Sequence, residues 1–260
     1  MIGKCKLCLK EFYLTKSHIL PAAIYKRLRN KNEKNPNPLL ISKDTAVQTS
    51  KQIWAHLLCA NCEQRLNKYG EHWVLRNYIQ EDGSFPIAST LAARIPDISS
   101  HNYSTKVYYT LNIPEINISA LSYFALSIFW RGSIYTWKDD GSIPINWGIF
   151  QEEIRHYLLG LTVFPNNCYL RVFVREGKET DMMTYVLPSE GQKDDIHICK
   201  YTIPGLAFIL LTSENMNLNE SQFCIMHGKG NPIFVTTIIE KLLMDEVSKL
   251  LNNHSSSKRE

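Results

Sequence analysis

No stretch of this 260-residue chain is apolar for long enough to cross a bilayer. The most apolar run, ISALSYFALSIFW at 118–130, carries three serines and falls short of the roughly 18–20 residues a membrane span needs. The N-terminal MIGKCKLCLKEF lacks the apolar core of a secretory signal. These absences predict a soluble, cytoplasmic protein with no membrane partner. Internal repeats are also lacking, which excludes solenoids and propellers. Nor is there a glycine-rich phosphate loop: GKGNP at 228–232 is too short and reads as a turn beside His227. Acidic residues are scarce at one end. Residues 1–76 hold 14 Lys and Arg against 5 Asp and Glu, a surplus of nine, which leaves the rest of the chain five acidic residues in excess. Four thiolates holding one zinc ion would still leave the first segment near +7. A basic segment of this kind predicts contact with a polyanion, nucleic acid above all; the bland alternative is a solvated surface of lysine-rich loops.

The cysteine count is seven, an odd number, so disulfides cannot account for all of them. Four fall in two Cys-x-x-Cys pairs, Cys5 with Cys8 and Cys59 with Cys62. Cys168, Cys199 and Cys224 stand singly in apolar surroundings and read as core. Neither pair opens a helix after a βαβ strand, which speaks against thioredoxin-like redox chemistry. Two tight pairs predict a closed tetrahedral zinc site, each two-residue turn presenting two sulfurs to one side of the ion at about 2.3 Å. Such a site has no open position. It would supply folding energy to a segment with little core of its own, not catalysis. The 50 residues between the pairs imply that something folded lies there.

The expected fold class is α+β. Periodicity predicts a knuckle and strand over 1–14, a helix over LPAAIYKRLRN with Leu20, Ile24 and Leu28 on one face, and a hairpin leading to the second pair. CEQRLNKYGEHWVLRNYI reads as a helix with Leu66, Tyr69 and Trp73 on one side, weakened by Gly70. A composition change over 80–92 suggests a boundary between an N-terminal unit at 1–80 and a C-terminal domain at 93–252, the latter a candidate for contact with a protein partner. Its start reads as a buried helix opening after NIPEIN, then an amphipathic helix stopped at Gly160. From 167 onward the period switches to two, so CYLRVFVRE, MMTYVLP, DIHICKYTI, GLAFILLTS, SQFCIMHGK and PIFVTT are strand candidates forming an antiparallel sheet. TIIEKLLMDEVSKLL reads as a closing helix and 253–260 as a disordered tail. Arg131 lies inside the apolar helix and needs an acidic partner if buried, with Glu152 and Glu153 as candidates.

The first Cys-x-x-Cys, the His-Ile-x-Pro element at His18–Pro21, and LLC-x-x-C opening a helix together resemble the HNH endonuclease family in its zinc-stapled ββα-metal form. The resemblance covers about residues 3–78. It implies an HNH-like module followed by a helical and antiparallel-sheet domain. It implies a hydrolase that cuts phosphodiester bonds of DNA, and it suggests a bacterial antiviral-defence or toxin-like effector. His18 takes the general base's place, drawing a proton from the attacking water, and Mg2+ or Mn2+ would stabilise the phosphorane. Glu63 follows the fourth cysteine, where the family commonly has a His or Asn ligand, and carboxylate oxygen suits Mg2+. Glu63, Asn67 and Glu71 fall at i, i+4 and i+8, one helix face on which an ion could sit opposite His18. Lys16, Arg65 and Lys68 are the expected phosphate contacts.

Besides Glu63, the chain departs from the family at two further places. Ser17 stands where an acidic ligand often precedes the base. The family's central Asn falls close to Trp54, with Gln52 and His56 as substitutes. A second reading therefore stays open: a catalytically degenerate module that binds nucleic acid or a protein partner without cutting. The bland readings are a solvated stripe for Glu63, Asn67 and Glu71, a helix-start role for His18 after Ser17, and a core position for His56.

Overall fold

The computed structural model describes residues 1–28, 37–41, 46–100, 105–137, 144–175, 184–217, 221, 224–225 and 232–236. The expected closing helix, the C-terminal tail, His227 and most of SQFCIMHGK lie outside the described residues. The N-terminal part contains β1 (Ile2–Lys4), β2 (Glu11–His18), α1 (Ala22–Arg27), β3 (Leu39–Ile41), β4 (Ala46–Gln48) and β5 (Trp54–Cys59). A helical run follows as α2 (Ala60–Leu66), a π-turn (Asn67–Glu71) and α3 (His72–Asn77), with α4 at Pro86–Ala92. Then come β6 (Ile98–Ser100), β7 (Thr105–Tyr109), α5 (Ile118–Ile134), α6 (Phe150–Leu159), β8 (Cys168–Val174), β9 (Thr184–Lys193), β10 (Ile196–Ile203), β11 (Leu206–Thr212) and β12 (Pro232–Thr236).

Two sheets organise the chain. The small one has order β1-β2-β5, and its last strand runs straight into α2, with Cys59 as the helix N-cap. That is a β-β-α arrangement. The large sheet has order β4-β3-β9-β10-β11-β8-β12-β7-β6. Most of its pairings are antiparallel, as alternation predicts, and β8 shows a strict alternation of buried and part-buried residues. Two joins are parallel: β3 with β9 and β12 with β8. The early hairpin β3–β4 therefore lies in the large sheet, not beside β2 and β5.

Helix α5 is buried on every side from Ala120 to Ser133, as a helix apolar all round must be. Asn117 caps it, its side-chain oxygen accepting from the Ala120 amide at 2.9 Å, so the helix opens after the Pro114–Glu115 segment. Gly160 ends α6 in the left-handed conformation, φ +70°, which glycine adopts without Cβ strain. α1 buries Ile24, and Leu20 and Leu28 flank it inside the same core. No helix among the described residues is long and apolar enough to cross a membrane.

The second helical run differs from a regular helix at its centre. The His72 amide reaches back to the Asn67 carbonyl, one residue further than an α-helical bond, and this widens the turn. The widened turn lies against α5 so closely that a Cβ on Gly70 would stand 2.8 Å from the Phe124 backbone nitrogen. Glycine here permits backbone contact between two helices. The buried positions are Leu66, Gly70, Glu71 and Val74, while Tyr69 is exposed, so the expected Leu66–Tyr69–Trp73 stripe is corrected by the π-turn. Gly70→Ala should lower stability by about 1–3 kcal/mol through overpacking, read as a fall in the urea midpoint at constant slope. An unchanged midpoint would mean that the helices separate freely.

Candidate metal centre and the neighbouring charged site

Cys5, Cys8, Cys59 and Cys62 come together, with all four sulfurs within 4.8 Å of one another. The knuckle that carries the first pair is a tight loop. Cys5 donates its amide to the Lys10 carbonyl, the Leu9 amide donates to the Cys5 carbonyl, both at 2.9 Å, and Leu9 takes a left-handed φ of 60°. The Lys6 amide donates to the Leu57 carbonyl at 2.9 Å, which ties the knuckle to β5 just before the second pair. The Cys59 amide approaches Cys5 Sγ at 3.4 Å.

The donor set fits zinc. Tetrahedral Zn–S bonds of about 2.3 Å place sulfurs about 3.8 Å apart, a spacing that lies inside the 4.8 Å limit of the cluster. The thiols show why a cation is needed. Hydrogen bonding from Cys62, against the cost of burial, holds Cys5 down to about 4. Cys62 is pushed up, first by giving its hydrogen to Cys5 and then by burial. Burial raises Cys8 as well. Only a bound cation lets all four carry charge at once.

His18 closes β2 and lies opposite Trp54 in the ladder, with Ser17 opposite Ala55 and Lys16 opposite His56. Its Nε2 lies 2.9 Å from Gln52 Oε1. With the amide oxygen facing it, Nε2 carries the hydrogen and Nδ1 keeps the lone pair. Burial is the main cause of a lowered His18 pKa, partly offset by Gln52 and with Arg131 lowering it further, so the ring is neutral near pH 7. Of the two residues the resemblance offers in place of a central Asn, Gln52 meets His18, while His56 Nδ1 lies 3.1 Å from the Leu14 carbonyl.

Ser17 is fully buried and accepts the Leu58 amide at 3.1 Å. It also stabilises the Glu63 carboxylate beside it. Burial pushes Glu63 up, with Arg131 and Ser17 opposing. The decisive neighbour comes from α5. Arg131, 1% exposed, donates from Nη2 to Glu71 at 2.8 Å and lies 3.5 Å from Glu63. Burial disfavours its charge, and the two carboxylates outweigh that, raising its pKa. The expected partners on α6 are thus corrected: Glu152 pairs with Arg155 at 2.8 Å. Glu63 and Glu71 share a guanidinium, whereas Asn67 between them is exposed.

Sequence reasoning singled out Arg131 but not its partners, which lie 60 and 68 residues earlier and on elements joined to α5 only by tertiary packing. Of the expected phosphate contacts, Lys16 is exposed, its Nζ 4.4 Å from the Trp54 ring. Lys68 is exposed with Nζ 5.3 Å from the Tyr69 ring. Arg65 is occupied: its Nε donates to the Leu158 carbonyl at the end of α6 at 2.7 Å. No second group of three or more His, Cys, Asp or Glu suited to a metal ion occurs among the described residues. Comparison with family models, with curated proteins and with solved structures finds no match.

Two outcomes follow. Purified protein should carry one zinc per chain by elemental analysis, and Cys62→Ser should lose it together with the cooperative melting of the N-terminal residues. Retention of that melting in metal-free protein would remove zinc's structural role. For His18, the folded pKa lies below the ordinary 6.5, so its contribution to stability is full above 6.5 and is lost as pH falls through the folded value. NMR titration of the His18 ring in zinc-loaded protein should give a midpoint under 6.5, and one above it would mean that Gln52 and Glu71 together outweigh burial.

Proposed function

We propose that the chain is an HNH-type endonuclease that hydrolyses phosphodiester bonds of DNA. The observation that carries this reading is His18: a neutral imidazole at the end of β2, tautomer set by Gln52, beside a β-β-α unit whose helix opens on two cysteines of a sulfur cluster. Cys5, Cys8, Cys59 and Cys62 would hold zinc in a closed site, where it supplies rigidity. In the proposed reaction Nδ1 of His18 takes the proton of a water that attacks phosphorus, and the leaving oxygen departs from the opposite side. Lys16 and Lys68 lie exposed for phosphate contact, while Arg65 holds α6.

A divalent ion fits at one point. Glu63 Oε1 is buried with no hydrogen-bond partner, and Mg2+ or Mn2+ takes few carboxylates besides substrate phosphate oxygens. Glu71 belongs to Arg131 and Asn67 to solvent, so neither joins that oxygen. When bound, the ion would neutralise charge developing on the phosphoryl oxygens. A role in bacterial defence rests on the family resemblance alone.

A second reading is favoured by one observation. Arg131 already supplies a cation to both carboxylates, as expected of a module that keeps a basic surface and has given up cutting. One assay separates the two. Zinc-loaded protein with Mg2+ or Mn2+ should nick supercoiled plasmid, and His18→Ala should slow nicking by about 100-fold or more with zinc retained. Equal nicking by the variant sinks the first reading. Binding that weakens as salt rises, with no nicking under any metal, establishes the second.

A further inference from the structure

Trp54 is the exposed tryptophan across from His18, on a small sheet that also leaves Phe12 and Tyr13 of β2 open at 43% and 70%. Trp130, Trp137 and Trp147 are buried to 2% exposure or less, whereas Trp54 is 41% exposed at the first position of β5. Burying an indole is favourable, and this one is left open on a regular strand. Its setting is ordered. The Lys16 ammonium caps the ring at 4.4 Å, and the His56 ring meets it edge-on at 5.5 Å and 89°. His56 is in turn held 3.1 Å from the Leu14 carbonyl. The indole is thus braced by a cation and an imidazole, with much of its surface still in water.

Its position adds the second half of the argument. Trp54 lies directly across the ladder from His18, and Lys16 across from His56. Cross-strand neighbours stand about 4.5–5.5 Å apart at Cβ. One small surface therefore combines an aromatic plane, an ammonium and a neutral imidazole, on a segment with 14 Lys and Arg against 5 Asp and Glu. An aromatic plane with a flanking cation suits an unpaired nucleobase with its phosphate: the base stacks and the ammonium takes the charge. A stacked duplex offers no free base face to a strand residue.

We propose that Trp54, with Lys16, is a stacking platform for an unpaired nucleobase, so that the ligand is single-stranded nucleic acid or a locally opened duplex. This rests on the nucleic-acid contact in the preceding reading and holds whether or not the site cuts. A base stacked on Trp54 brings its backbone alongside His18, which would direct chemistry or binding to unpaired positions.

The test uses the full zinc-loaded chain without Mg2+, a fluorescein-labelled oligothymidylate, and the same strand annealed to its complement. Wild type should bind the single strand more tightly, with quenching of tryptophan fluorescence. Trp54→Ala should weaken single-strand binding by about 5- to 100-fold, the loss of one stacked base, and change duplex binding by less than about twofold. Trp54→Phe should keep most of the affinity and lose the quenching. It decides the case if the alanine variant fails to fold, because quenching that persists in Trp54→Phe places the contact elsewhere. Equal single-strand affinity in Trp54→Ala, or equal losses for both forms, overturns the platform. Binding of neither form by wild type overturns the nucleic-acid reading itself.

Discussion

Four sulfurs packed into so small a space cannot all be anionic unless a cation stands among them, and the N-terminal architecture depends on that constraint. The two pairs come from a loop after β1 and from the first turn of α2, so whatever satisfies the sulfurs also fixes where the helix begins relative to the β2–β5 ladder. The hydrogen bond from Lys6 to Leu57 and the approach of the Cys59 amide to Cys5 continue the same tie through the backbone. His18 gains its place indirectly. Its strand is held by β5, and β5 is held by the knuckle.

The second constraint is the guanidinium of Arg131. Taking it out of water costs several kcal/mol, and only two carboxylates at short range make its burial tolerable. Those carboxylates come from the helical run that follows the cysteines, so the charged group fastens the N-terminal β-β-α unit to the central helix. The pattern repeats at lower intensity nearby. Arg155 on α6 donates to the Leu7 carbonyl inside the knuckle at 2.8 Å, and Arg65 on α2 donates to the end of α6. Three arginines thus lace the small sheet and its helix to α5 and α6, and the cost of removing any one partner is an orphaned charge or carbonyl.

Much of this was legible in the sequence, for identifiable reasons. The cysteine pairs announce themselves because metal geometry fixes their local spacing. β8 and β10 announce themselves because a sheet with two faces imposes period two, β11 through its unbroken apolar run, and Gly160 because a left-handed cap excludes most other residues. What was hidden was non-local. The partners of Arg131 could not be read, since they lie on another helix and are selected by packing. The π-turn escaped because its cause, contact between Gly70 and the backbone at Phe124, lies 54 residues away. That one turn explains why Asn67 faces water while Glu71, four positions on, is buried. Arg65 looked like a phosphate ligand because nothing nearby in sequence shows that α6 ends beside it.

The parallel pairing of Leu39–Ile41 with Thr184–Val186 has a consequence for how the chain is made. A ribosome releases the first hairpin long before its neighbouring strand exists. Through well over a hundred residues of elongation that hairpin must wait with one ladder edge unfilled, and a waiting edge invites pairing with other chains. The β-β-α unit, by contrast, has all three of its strands within the first 59 residues and can close early. Assembly is therefore staged, with the β-β-α unit first and the strands that fill the middle of the large sheet made later than its two edge strands.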